Sequence, residues 1–108
     1  MNDKFLTLLG FAAKAGKLSY GFDAANGALS KKKSKLVLVA CDISPKSKKE
    51  ILFFCDKAQT QAVVLKAYDM DALSRAVGRK CGIISVNDVM FSDGIKNAIG
   101  NLCREEIK

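Results

Sequence analysis

Histidine and tryptophan are absent from this sequence, and proline occurs once. Without histidine, neither a Ser-His-Asp nor a Cys-His catalytic arrangement can form. The four cysteines, Cys41, Cys55, Cys81 and Cys103, are far apart and make no C-x-x-C pair. A zinc site would have to gather thiolates from four separate places, so no metal is expected. Each Cys stands in an apolar stretch, where it acts as a small buried hydrophobe, and reduced thiols fit a cytoplasmic protein. The longest apolar run, Leu36 to Cys41, is far too short to span a bilayer. Phe5 to Ala13, followed by Lys14 and Lys17, is patterned as a helix rather than as a signal peptide. No G-x-x-x-x-G-K-[ST] or G-x-G-x-x-G loop follows a strand. Asp69 and Asp71 stand at a helix start, where capping accounts for them better than paired-carboxylate chemistry. Asp42 follows a buried strand, and a lone carboxylate there serves its loop more often than a ligand. These absences leave no catalytic residue and no cofactor to expect.

What the sequence does have is a core and an uneven charge. Nearly half of the 108 residues are apolar, enough to fold as one domain without cross-links. The formal net charge is +7. It lies entirely in residues 1–66, with 12 basic and 5 acidic side chains, while residues 67–108 hold 6 of each. A localised excess of this kind attracts polyanions through Coulomb steering and counterion release, although +7 also lies in the ordinary range for solubility.

Periodicity predicts the order α-β-α-β-α-β-α-β-α. Phe5, Leu6, Leu8, Leu9, Ala12 and Ala13 recur at helical spacing, with Asp3 favouring the start and Gly16 the stop. Leu18-Ser19-Tyr20 is a short apolar stretch. A second helix starts near Phe22 and Asp23, buries Phe22, Ala25, Ala28 and Leu29, and ends at Lys31, Lys32 and Lys33, which suit a helix C-terminus. Leu36 to Cys41 has the continuous apolar, β-branched character of a strand buried on both faces, Ala62 to Leu65 is the next buried strand, and Ile83 to Val86 is another strand. Ser44-Pro45 opens a helix through Ile51, Leu52, Phe54, Cys55 and Ala58. Asp69 caps a short helix ending at Gly78, Asn87 caps the last helix, and the tail from Cys103 to Lys108 is expected to fray. Alternating helices and buried strands imply a three-layer α/β/α sandwich.

Three basic clusters stand out. Lys31, Lys32, Lys33 and Lys35 sit between a helix and a strand. Lys46, Lys48 and Lys49 open the third helix, where positive charge opposes the dipole. Arg75, Arg79 and Lys80 flank Gly78. In Tyr20-Gly21-Phe22-Asp23-Ala24-Ala25-Asn26-Gly27, glycines bare the backbone near a helix N-terminus, whose N–H groups suit an anionic acceptor. Asp23 and Asn26 there can meet base edges, although an ordinary helix start would look the same.

Gly21-Phe22-Asp23 opening a helix, then "SKLVLVACDISP" (Ser34 to Pro45), then "LSRAVGRKCGIISVND" (Leu73 to Asp88) resembles the ribosomal-protein family of kink-turn RNA binders. That family includes archaeal large-subunit protein seven-Ae, eukaryotic thirty-e and small bacterial ribosome-associated relatives, and the bacterial branch is the closer match. The resemblance covers almost the whole chain. It implies a four-stranded mixed sheet between helices, and a non-catalytic protein that grips kinked RNA. In the family the start of the second helix reads tandem sheared G·A pairs in the major groove, and the loop before the last strand packs on a flipped-out nucleotide. Carried over, Gly21, Phe22, Asp23, Asn26 and Gly27 occupy the helix-start motif, and Arg79, Lys80 and Cys81 the loop. Lys14, Lys17, Lys31, Lys32 and Lys33 would add electrostatic attraction. The strongest kink-turn binders carry Asn-Glu where this chain has Asp23-Ala24, and Lys where Gly27 stands. The resemblance therefore implies recognition by charge and shape more than by guanine contacts. The expected partners are structured RNA and the ribosome, with no membrane, and the chain is expected to be a monomer. The alternative is a protein–protein adaptor on the same fold.

Overall fold

In the computed structural model, residues 4–99 and the backbone of 104–107 are described. Asp3 and Cys103 lie outside the described side chains. Ten elements follow one another: α1 (Lys4–Lys14), β1 (Leu18–Tyr20), α2 (Phe22–Ser30), β2 (Leu36–Val39), α3 (Pro45–Ala58), β3 (Ala62–Leu65), α4 (Met70–Val77), β4 (Ile83–Val86), α5 (Val89–Ile99) and β5 (Arg104–Ile107). Helices and strands alternate as the periodicity predicts. The expected mixed sheet is present, with β2 parallel to β3 and antiparallel to β4, and β1 antiparallel to β4. A further strand, β5, extends it antiparallel to β3 where a fraying tail is expected, giving the order β1-β4-β2-β3-β5. The backbone groups on the outer side of β3 thereby gain partners.

The central strand β2 shows why the molecule has three layers. All four of its residues are buried. Successive side chains on a strand point to opposite faces. Leu36 and Leu38 join a core with Phe5, Leu9, Leu73 and Ile95, supplied by α1, α4 and α5. Val37 and Val39 join a second core with Ala25, Leu29, Ile51 and Cys55, supplied by α2 and α3. β2 is therefore apolar throughout because it has no solvent face. No helix among the described residues is long and apolar enough to cross a membrane.

Several helix starts follow the sequence closely. The Ser47 N–H donates to Ser44 Oγ (3.3 Å), with Pro45 in the first turn. The Ala72 N–H donates to Asp69 Oδ1 (2.8 Å). The Met70 N–H donates to Asp42 Oδ1 (2.8 Å), so Asp42 serves its loop by tying it to α4. One cap differs. The Phe91 N–H donates to Asp88 Oδ2 (3.0 Å), not to Asn87. Asn87 is drawn inward instead: its Oδ1 accepts from the Ser85 hydroxyl (2.6 Å), and its side-chain amide donates to Ser19 Oγ (2.9 Å). The Ser85 hydroxyl also meets Ser34 Oγ (2.7 Å). A polar chain, buried at Ser34 and Ser85 and half-buried at Asn87 and Ser19, thus joins β1, β4 and the segment before β2.

The topology sends the first residues of α2, α3 and α4 to one end of the sheet. Tyr20 pairs with Ile84 and Val39 with Ile83, so β1 and β2 both finish beside the start of β4. β3 runs parallel to β2 and finishes at the same end. The loop before β4, residues 78–82, closes this end from its middle.

Candidate functional site

The start of α2 is shaped by Gly21, which has φ 89° and ψ 169°. This conformation is open essentially to glycine alone. It turns the chain sharply out of β1 while the Gly21 N–H donates to the Ile83 carbonyl (2.8 Å). Unlike α3, α4 and α5, this helix receives no side-chain cap. Within the described residues the first-turn N–H groups of Phe22, Asp23 and Ala24 meet no acceptor. They stand at the positive end of the helix dipole and are ready for an external acceptor. Asp23 and Ala24 are exposed, Asn26 and Gly27 half-buried, and Phe22 packs edge-on against Phe54 (6.1 Å).

The loop before β4 is held from below. Gly78 closes α4 in the left-handed conformation. The Cys81 N–H donates to Ser74 Oγ (3.0 Å), and the Ser74 hydroxyl donates to the Cys81 carbonyl (3.2 Å). This two-way bridge fixes the loop base and leaves Arg79 and Lys80 exposed at its tip. The Arg79 guanidinium stacks over Tyr20, 5.0 Å from the ring centroid, a contact of about 0.5–1 kcal/mol at an exposed site. Tyr20 immediately precedes Gly21, so the stack docks the loop against the α2 start. Partial burial pushes the Tyr20 phenol up, against the lowering influence of Arg79.

The Arg79–Tyr20 stack therefore brings the 78–80 loop beside Gly21 and the first turn of α2, while Asn26 lies further along the helix, in a furrow with Phe22. Cys81 does not face that region. It is buried in the core, where desolvation raises its thiol against the lowering effect of a hydrogen bond with Ser74, and its backbone holds the loop base. Cys55 is also buried, whereas Cys41 is exposed, contrary to the expectation that each cysteine fills a core position. Cys41 follows the end of β2, which stops at Val39.

The remaining cations divide. Lys14 lines a groove between α1 and α4 together with Arg75 and Arg79. Arg75 is paired with Asp71 (2.7 Å). Lys17, Lys31, Lys32 and Lys33 lie at the opposite end of the sheet from Gly21. The Lys17 carbonyl accepts from the Asn87 N–H, and the Lys35 N–H donates to the Val86 carbonyl, both at the finish of β4. The physical reason is the length of α2, whose nine residues carry the chain about 13 Å back along the sheet. The single converged surface expected from sequence is thus split.

Three contributors noted in the sequence were not placed among its site residues. Lys46 and Lys49 line a furrow with Phe22 and Asn26, and Tyr20 receives Arg79. The sequence signal for the lysines was their place in the first turn of α3, where the dipole does not favour them. Nothing in the sequence marks the Arg79–Tyr20 stack, because it joins residues from separate elements. No group of three or more Cys, Asp and Glu side chains able to hold a metal occurs among the described residues.

Similarity to known proteins agrees with this architecture. A protein of unknown function from Bacillus halodurans is 30% identical, with a TM-score of 0.86 over 93% of this chain and 100% of that one. The Giardia lamblia 15.5kD RNA binding protein has the same fold at 19% identity, with a TM-score of 0.71 over 93% of this chain and 88% of that one. Among proteins with curated descriptions, none matches significantly. The family model for the ribosomal protein L7Ae/L30e/S12e/Gadd45 family matches residues 3–96. With most of its length covered by that model, the chain belongs to the ribosomal protein L7Ae/L30e/S12e/Gadd45 family.

Proposed function

We propose that this protein is a non-catalytic, cytoplasmic RNA-binding protein of ribosomal type, which grips kinked, structured RNA with the α2 start and the 78–80 loop. The observation that carries this reading is the uncapped first turn of α2 beside two exposed cations, Arg79 and Lys80. Free amides at a positive dipole end suit phosphate and base acceptors. The exposed Arg79 and Lys80 offer positive charge to the phosphates of an RNA backbone bending past the helix. Family membership supports the same surface and a non-catalytic role.

The test is a binding titration with a kink-turn stem and a straight duplex of equal length. Wild-type protein should prefer the kinked stem. The Arg79→Glu, Lys80→Glu double variant should bind it at least about tenfold more weakly. Equal binding by wild type and double variant would overturn the proposal and turn attention to a protein partner.

A further inference from the structure

We propose that the furrow between α2 and α3 holds a short single-stranded RNA segment continuing from the stem gripped at the α2 start. The inference rests on the RNA-binding reading above and concerns an adjoining surface that shares Phe22 and Asn26 with the α2 start. On α3, Lys46, Lys49, Phe53 and Lys57 follow one another at spacings of three, four and four residues, which puts them along one helix face. At about 1.5 Å per residue the stripe is about 16 Å long. That accommodates several nucleotides, which advance about 3.4 Å each when stacked and more when extended.

The furrow has the chemistry of a strand-binding groove. Phe53 is 58% exposed, although it is a large apolar side chain. Its ring meets Phe54 edge-on (5.5 Å), and Phe54 meets Phe22 in the same way (6.1 Å). A chain of rings therefore leads from the first residue of α2 to the outer face of α3. Lys46 and Lys49 border the near part of the furrow, and Lys57 and Lys32 its continuation. None of these four lysines forms an ion pair within the described residues, and Glu50 is the one carboxylate lining either part.

Unpaired cations interleaved with an exposed ring favour a polyanion with flat apolar faces over an apolar helix. A base stacks on Phe53, and flanking phosphates lie against the lysines. The Lys57 ammonium, now 5.7 Å from the Phe53 centroid, exchanges its ring contact for a phosphate. Asn26 lines both parts of the furrow, and its amide offers donors and an acceptor to a base edge. The arrangement also gives Lys32 a role despite its distance from Gly21: it stands at the exit of the furrow that starts beside the helix N-terminus.

Three RNAs distinguish the surfaces: a blunt kink-turn stem, the same stem with an unpaired ten-uridine tail, and the free uridine decamer. For wild-type protein the tail should raise affinity about tenfold, the scale of one base–aromatic stack. Phe53→Ala should abolish that gain and weaken decamer binding while leaving the blunt stem unchanged. A Lys49→Gln, Lys57→Gln variant, which keeps the ring, should reduce the tail gain and its salt dependence. An absent tail gain, or one that survives in Phe53→Ala, would overturn the proposal whatever happens with the blunt stem. Conversely, decamer binding lost in Phe53→Ala would support the furrow even if kinked and straight stems bind equally. Dimerisation abolished by Phe53→Ala, with no effect on RNA, would overturn it in favour of a second copy of this chain.

Discussion

Two residues show how much rests on single side chains. Gly27 lies inside α2, has an ordinary backbone conformation, and a Cβ added there would meet nothing within 4 Å. Replacing glycine in a helix interior restricts the unfolded chain without strain. Gly27→Ala should therefore raise the denaturant midpoint, by an amount equivalent to about 0.5–1 kcal/mol. Gly27→Lys should keep most of that gain and add a cation one turn below the free amides of α2, tightening binding to the kinked stem. Cys55 gives a pH dependence. Burial pushes its thiol up to about 12 from an ordinary 9.0. The unfolded chain then releases the proton before the folded one does. Stability is complete below about pH 9 and falls as the pH climbs from there toward 12, by up to about 1.4 kcal/mol per unit. Urea midpoints between pH 8 and 10.5 should show the decline, and Cys55→Ala should flatten it. An unchanged slope in that variant would place the alkaline loss elsewhere, for example at Cys81, whose thiol is raised in the same direction.

At the scale of elements, the strands and caps were legible because their causes are local. Ala62–Leu65 coincides with a continuous apolar run, Ile83–Val86 with an apolar stretch interrupted only by Ser85, and Ser44 and Asp69 cap the helices that follow them. The contribution of Asn87 was not legible, because its partners on Ser19 and Ser85 come from two different strands. Asp88, one residue further, takes the cap that Asn87 vacates. The site divides along the same line. The α2 start was visible as Gly21-Phe22-Asp23, whereas the opposite placement of Lys31 to Lys33 follows from how α2 runs back along the sheet. Phe53 was hidden because its neighbours Leu52, Phe54 and Cys55 suggest a buried face, and only packing decides which ring is left outside. The polar chain Ser34–Ser85–Asn87–Ser19, buried at its Ser34–Ser85 end, carries its own prediction. Ser85→Ala removes its centre and leaves polar groups without partners, which should cost about 1–3 kcal/mol. Ser85→Thr keeps the hydroxyl, so a loss as large as that of the alanine variant would indicate crowding rather than lost hydrogen bonds.

For the whole molecule, charge and topology act together. Three helices, α2, α3 and α4, begin at one end of the sheet, and Lys46, Lys49, Arg79 and Lys80 belong to that end or to the helix starting from it. Association with a blunt kinked stem should weaken steeply with salt. Replacing Arg79 and Lys80 with glutamine should reduce the slope of log affinity against log salt by about 1–2. Lys17→Gln, at the far end, should leave that slope near the wild-type value. A uniform response to all these changes would mean that the molecule presents no preferred end.

The Arg79–Tyr20 stack makes the molecule its own optical gauge. In the absence of tryptophan, near-ultraviolet emission comes from the tyrosines, Tyr20 and Tyr68. Tyr68 packs against Phe5, with ring centroids 4.6 Å apart, and reports on the interior. Tyr20 lies under a guanidinium at the rim and registers any displacement of the neighbouring loop. With Tyr68→Phe as background, occupancy at that rim can be followed without a dye.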